Sequence, residues 1–248
     1  LLFEEENVTW HNMADDCGTC HSAAAGYIGP AFSSLHTGYS REIYVQSGPD
    51  MGKKYSELYT ATVESVSVTG TVMDVVFSTN NASITKPTLV IAFYGYESKD
   101  FLIGGNSKTI GTARTGFTEV ARTDGKFQVQ YDMASYTSTN TPTIPAMLAD
   151  GTIKRAEVAV RPVLANADGK TVALDATSVT FDFAANAIVD DDYFKGDNQL
   201  VSATKCNACH DALATTFHSG DRGGNITECR MCHVPVSAGS HLEMASRS

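Results

Sequence analysis

All six cysteines of this 248-residue chain fall into three runs of one form, and the runs lie towards its two ends. They are Cys17-Gly-Thr-Cys20-His21, Cys206-Asn-Ala-Cys209-His210 and Cys229-Arg-Met-Cys232-His233. Between Thr37 and Lys205 the chain has neither a Cys nor a His. The pattern divides the sequence in three, with thiols and imidazoles at both ends and a long middle that lacks both.

The spacing carries a specific chemistry. Two thiols three residues apart can add to the two vinyl groups of one haem, and the histidine that follows can swing under the ring to bind its iron. Covalent attachment suits a carrier that works outside the cell, because the cofactor cannot be lost by dissociation. Two other readings compete. The last two pairs alone, C-x2-C-x19-C-x2-C, fit zinc-ribbon spacing, and a lone C-x-x-C can be a redox dithiol. Neither calls for a His directly after each pair, and neither accounts for the isolated first run. The expectation is three haem c groups, held by Cys17, Cys20 and His21, by Cys206, Cys209 and His210, and by Cys229, Cys232 and His233.

The remaining histidines agree with this. Of seven in the chain, the four outside the runs are His11, His36, His218 and His241, and all lie near a run. They read as sixth ligands, giving irons held by two imidazoles each. His36 is assigned to the first haem, since the loop Gly26-Tyr-Ile-Gly-Pro30 can carry it to the opposite face of the ring. His218 and His241 serve the second and third haems in an order left open. His11 is then one more than three irons need, and is assigned to a haem outside this segment, in a longer parent chain or a neighbouring subunit. Met13, Met231 and Met244 are unnecessary as axial ligands, and Met231 is expected to pack against a porphyrin.

The formal charge of -10 argues against a nucleic-acid partner, which calls for a basic stripe. No apolar run approaches the ~20 residues of a membrane span; the longest, Leu89 to Tyr94, is a strand's length. The chain opens Leu1-Leu2-Phe3 without an initiator Met or a signal pattern, so it reads as a mature or excised chain.

The middle reads as β. Phe127-Gln-Val-Gln-Tyr131, Val172-Ala-Leu174 and Val179-Thr-Phe-Asp-Phe183 alternate apolar and polar. Further strands are expected over Ala61 to Thr69, Thr71 to Ser78, Leu89 to Tyr96, Gly116 to Arg122 and Ile153 to Leu164, with Pro162 marking an edge or a strand end. Asp124-Gly125 and Asp168-Gly169 signal hairpins and Asp150-Gly151 a third turn, while Gly104-Gly105 and Gly223-Gly224 read as turns. The fold class is mainly β, a Greek-key barrel or sandwich, flanked by largely irregular haem-binding segments with short helices after each run. The domains are residues 1–40 with one haem, 41–192 as the barrel or sandwich, and 193–248 with two haems.

Cys206-x-x-Cys-His210 followed by Phe217-His-Ser-Gly220, Arg222 and Cys229-x-x-Cys-His233 resembles the haem segment of the OmcA/MtrC-type outer-membrane decahaem c-type cytochromes. The preceding β region, with Phe93-Tyr-Gly-Tyr96 and the turn at Asp168-Gly169, is similar to their split β-barrel domain. The resemblance implies irons with two His ligands and electron transport at the outer-membrane surface or in the extracellular space. It also implies transfer to metal oxides, flavins or partner cytochromes, copies of this chain included. It departs in number, because those proteins carry about two β domains and ten haems. No catalytic residue is assigned. Two alternatives stand beside a simple conduit: a subunit of a polymeric cytochrome filament, and a multihaem reductase with one open iron position.

Overall fold

The computed structural model describes residues 41–95, 101–138, 141–190 and 224–234, all within the second of two compact units, Arg41–Ser248. The first and second runs, Cys17 to His21 and Cys206 to His210, lie outside the described residues. So do His11, His36, His218 and His241.

The described residues are mainly β, in two antiparallel sheets with a few short helices and no closed barrel among them. The first sheet has the order β1 (Ala61–Thr69), β2 (Val72–Thr79), β6 (Phe127–Asp132), β5 (Phe117–Val120). The second has the order β4 (Ile103–Thr109), β3 (Thr88–Tyr94), β7 (Arg155–Arg161), β8 (Thr177–Asp182), β9 (Ala187–Val189). Helix α1 (Tyr55–Leu58) precedes the sheets, and α2 (Ile144–Ala149) closes part of the core with Ile144 and Met147.

One core lies between the sheets. Val63, Val66, Met73, Val75, Phe77, Val129 and Tyr131 come from the first, and Leu89, Ile91, Phe93, Val158, Val160 and Phe181 from the second. Period-two patterning puts them there, since alternate side chains of a strand share a face. In β1 the alternation breaks where the register shifts between Val63 and Ser65, leaving Glu64 and Ser65 both exposed before Val66 turns back inward. That is a β-bulge, and without it Val66 and Val68 would face away from the core.

The outer faces differ. On the first sheet, Asp74 accepts hydrogen bonds from the side-chain amides of Gln128 and Gln130, at 2.8 to 2.9 Å. The outer face of the second sheet is buried and mixed, with Val90, Ala92 and Ala159 apolar and Arg155, Glu157 and Arg161 charged. In β3 and β7 all seven residues of each strand are buried, so both faces of these strands are covered.

Most strand expectations hold, with bounds moved by a few residues. Asp124-Gly125 does turn the β5–β6 hairpin, with Gly125 at φ 76°. Pro162 directly follows the last residue of β7, marking a strand end inside the sheet rather than an edge. Asp150-Gly151 ends α2, with Gly151 at φ 79°. Three expectations need correction. Val172 to Leu174 is buried but forms no strand, although the turn at Asp168-Gly169 is closed by the Ala165–Thr171 bridge and by the Asn166 and Val172 amides donating to the Lys170 and Leu164 carbonyls at 2.8 and 3.0 Å. Gly104-Gly105 is not a turn but lies inside β4. The strands β4 and β9 were absent from the expectation.

Candidate haem-attachment site

The third run is the one the structure describes, and it lies on a helix. Helix α3 (Ile226–Cys232) carries both thiols, so the expected order, run first and helix after, is reversed here. Asn225 begins the helix: its side-chain oxygen accepts from the Glu228 amide at 3.2 Å, satisfying a donor that the first turn leaves open. Its side-chain amide also donates to Ser178 Oγ at 2.9 Å, which ties the helix start to β8. Gly224, at φ 71°, supplies the preceding bend. A β-carbon there would lie 2.7 Å from the Asp175 carboxylate.

Helical spacing divides α3 into two faces. Cys229 and Cys232, one turn apart, are neighbours on the helix surface, and both are exposed. Thr227, Glu228 and Met231 are buried. Met231 joins Val90, Ala92, Tyr94, Phe101, Ala159 and Val234 in a second cluster, on the outer face of the second sheet. Protein atoms cover Met231 completely, so the expectation that it packs on a porphyrin gives way to packing on β3 and β7.

His233 caps the helix. Its amide donates to the Cys229 carbonyl at 3.0 Å, and its side chain is half-buried. The residues two before and one after it, Met231 and Val234, are both anchored in the sheet cluster. An imidazole between two anchors has a fixed origin, with the exposed thiols of Cys229, one turn earlier, and Cys232, directly before it.

The glycine pair in β4 makes the close docking possible. Ile91 pairs with Asn106 and Phe93 with Ile103, so β4 carries one more residue than β3 over this interval. The extra residue is a bulge at Gly104-Gly105, braced by the Asn106 side-chain amide donating to the Gly104 carbonyl at 3.1 Å. A β-carbon on Gly104 would lie 3.2 Å from both the Met231 carbonyl and Val234. One on Gly105 would lie 2.9 Å from Val90 and 3.1 Å from Cys232 Sγ. Gly-Gly inside a strand signals a bulge or a close backbone approach, and both occur here. The same dipeptide also suits a turn, which is why the sequence pattern does not mark this strand.

Charge completes the contact. Arg161 Nε, at the end of β7, lies 2.9 Å from Glu228 Oε1, an ion pair by distance whose angle falls outside hydrogen-bond geometry, with side-chain exposures of 9% and 1%. Neighbouring outward positions of β7 are also paired: Arg155 with Asp182 at 3.1 Å, and Glu157 with the Thr180 hydroxyl at 2.8 Å. Buried charges are tolerated only when paired, so this row fixes which partners can cover the sheet.

These residues fit a covalently held haem: two exposed thiols one turn apart, with an anchored imidazole beside them. Among the described residues, no three His, Cys, Asp or Glu side chains converge as a metal site. A separate cleft of about 420 Å³, lined by Tyr55, Tyr59, Asp50 and Asn166 among others, shares no residue with this site. No helix among the described residues is long and apolar enough to cross a membrane. Comparison with models of known protein families gives no match, and comparison with curated proteins gives none either.

Proposed function

We propose that this chain is a multihaem c-type cytochrome that transfers electrons outside the cytoplasm. The observation that carries the reading is the geometry of the third run. Cys229 and Cys232 stand exposed one turn apart on α3, and His233 is held between Met231 and Val234. Each thiol would add across one vinyl group, its sulfur bonding to one vinyl carbon and its proton passing to the other. His233 would take the iron on one side of the ring. A haem bound there would supply an iron that gains and loses one electron. The two other runs repeat the same residue types at the same spacing, which supports three haems in all. His36, His218 and His241 are the distal ligands on this reading, with His11 directed to a haem beyond the segment.

The OmcA/MtrC-type resemblance supports outer-membrane or extracellular working and acceptors such as metal oxides, flavins or other cytochromes. It also supports reading the two sheets as a split barrel, because side chains instead of ladder bonds join their edges. On one seam the Asn186 side chain accepts from the Val68 amide, and the Thr177 hydroxyl donates to the Ala61 carbonyl, at 2.9 and 2.8 Å. On the other, Lys108 of β4 pairs with Glu119 of β5.

The test is production in a host with haem-attachment machinery, followed by intact mass and a reduced-minus-oxidised spectrum with and without carbon monoxide. Three covalent haems and no carbon monoxide binding are expected. A haem-free chain would overturn the assignment, and a ligand-accepting iron would favour the reductase alternative.

A further inference from the structure

We infer that Arg161 is a positioning residue for the third haem-binding run, acting through Glu228 and touching neither thiol nor imidazole. This rests on the proposed haem attachment and adds to it a role for the β domain. Glu228 directly precedes Cys229, so its placement sets the rotation of α3 about its own axis. With Glu228 turned down onto Arg161, Cys229, the next residue round the helix, is carried outward, and Cys232, four positions on and so on Glu228's side, is set at the flank beside Gly105, where its thiol stays exposed. Apolar packing alone does not settle this. Met231 and Val234 hold the helix end down, but a smooth apolar contact tolerates rotation by part of a turn. A buried ion pair does not, because rotation would strand a carboxylate at 1% exposure away from its guanidinium.

The remaining contacts point the same way. Asn225 is held by Ser178 at one end of α3, and the Gly104-Gly105 bulge receives the other end. Arg161 sits between them on β7, flanked by Pro162, which ends the strand and fixes where the guanidinium leaves the sheet. The pair lies on the outer face of the second sheet, where Arg155 is paired with Asp182 of β8 and Glu157 accepts the Thr180 hydroxyl on one oxygen. The long β domain is therefore more than a spacer. It provides the charged socket that sets the angle at which the run presents its cysteines and histidine.

The experiment compares the full haem-loaded chain with R161M, R161K and the double variant R161M/E228M. Three readouts are taken: covalent haems per chain, the potential of each haem, and amide exchange along α3. In R161M, exchange at Ile226–Cys232 should accelerate by on the order of a hundredfold relative to the β core, as for a buried pair that has lost one partner. One of the haem potentials should shift while the others stay. The double variant, which leaves no stranded charge, should recover slow exchange but not the parental potential. R161K keeps the charge but carries it on a flexible ammonium in place of the planar guanidinium; should R161M fail to fold, the same local acceleration and single-haem shift are expected in R161K. Unchanged α3 exchange and unchanged potentials in these variants would overturn the inference. So would acceleration spread evenly over the β core. A parent chain without covalent haem would instead remove the proposed function, and the exchange comparison would still judge the ion pair.

Discussion

Replacing Gly105 by Ala tests how α3 is seated. The new β-carbon would stand 2.9 Å from Val90 Cγ1, 3.1 Å from Cys232 Sγ and 3.5 Å from the Met231 carbonyl. Val90 is fully buried in a strand paired on both sides, so it cannot retreat; the helix must lift instead. Overpacking by one methyl typically costs about 1–3 kcal/mol. Against this, Ala narrows the unfolded ensemble and returns about 0.4–1 kcal/mol where the backbone suits it. The expected net loss is about 1–2 kcal/mol, concentrated in the docking of α3. Urea unfolding followed by amide exchange of α3 measures both parts. Gly125→Ala is the control: it sits at φ 76° with nothing within 4 Å, so its cost, about 1 kcal/mol of backbone strain, should stay in the β5–β6 hairpin. If G105A matches the parent in both stability and α3 exchange, the close approach of helix and bulge is not a constraint.

Other outcomes follow from the seams, the core and the surplus histidine. Burial pushes the Glu119 carboxyl up, but the Lys108 ammonium and the Gly111 amide outweigh it, so it titrates below the usual 4.5. A lowered folded value means stability that is present above the unfolded pKa and lost as pH falls through the folded one. Glu119→Gln should therefore cost about 1–2 kcal/mol at neutral pH, discounted for partial exposure, and the difference from the parent should vanish in acid melts. Asn186→Ala, at φ 47°, loses the acceptor for the Val68 amide and adds strain; about 1–2 kcal/mol should disappear in thermal melts, with Asn186→Gly recovering part. Phe77→Ala should cost about 3–5 kcal/mol in urea unfolding, since the ring is fully buried and stacked on Phe127 at 5.3 Å. Replacing His11 by Met should raise the potential of one haem and weaken any oligomer, while an unchanged spectrum, potential and particle size would remove His11 as a ligand.

The strands legible in the sequence are those whose burial follows period two or whose run is apolar throughout. β2 and β6 show the alternation and β3 the continuous run, while β8 alternates in its residues although Thr180 and Phe181 are both buried. β4 (Ile-Gly-Gly-Asn-Ser-Lys-Thr) was illegible for definite reasons. Its one apolar residue is Ile103, its glycines form the bulge, and its second buried position is Lys108, which a pattern reading places in solvent. β9 is three residues at an edge, too short to show a period. Of the site, the Cys and His spacing was legible in full, because covalent chemistry depends on local spacing. Arg161 and Glu228 were not: their pairing joins separate elements, and nothing local marks a charged residue in a β run as buried.

The uniform burial of β3 and β7 says more than that they are central. An antiparallel sheet commonly leaves one face in water and shows it by alternation, as the first sheet does with Asp74, Gln128 and Gln130. Thr-Leu-Val-Ile-Ala-Phe-Tyr in β3 has no such alternation, so its outer face was committed to cover before α3 enters the account. α3 supplies cover over Val90 and Ala159, with Met231 and Val234 as the contacts. The same reasoning applies to Arg155 and Glu157, because charges are retained on a covered face only where they have partners. The second sheet is thus a middle layer, apolar towards the first sheet and mixed towards α3. A β domain built in this way specifies the orientation of what lies on it, since apolar contacts supply the adhesion and the charged pairs fix the angle.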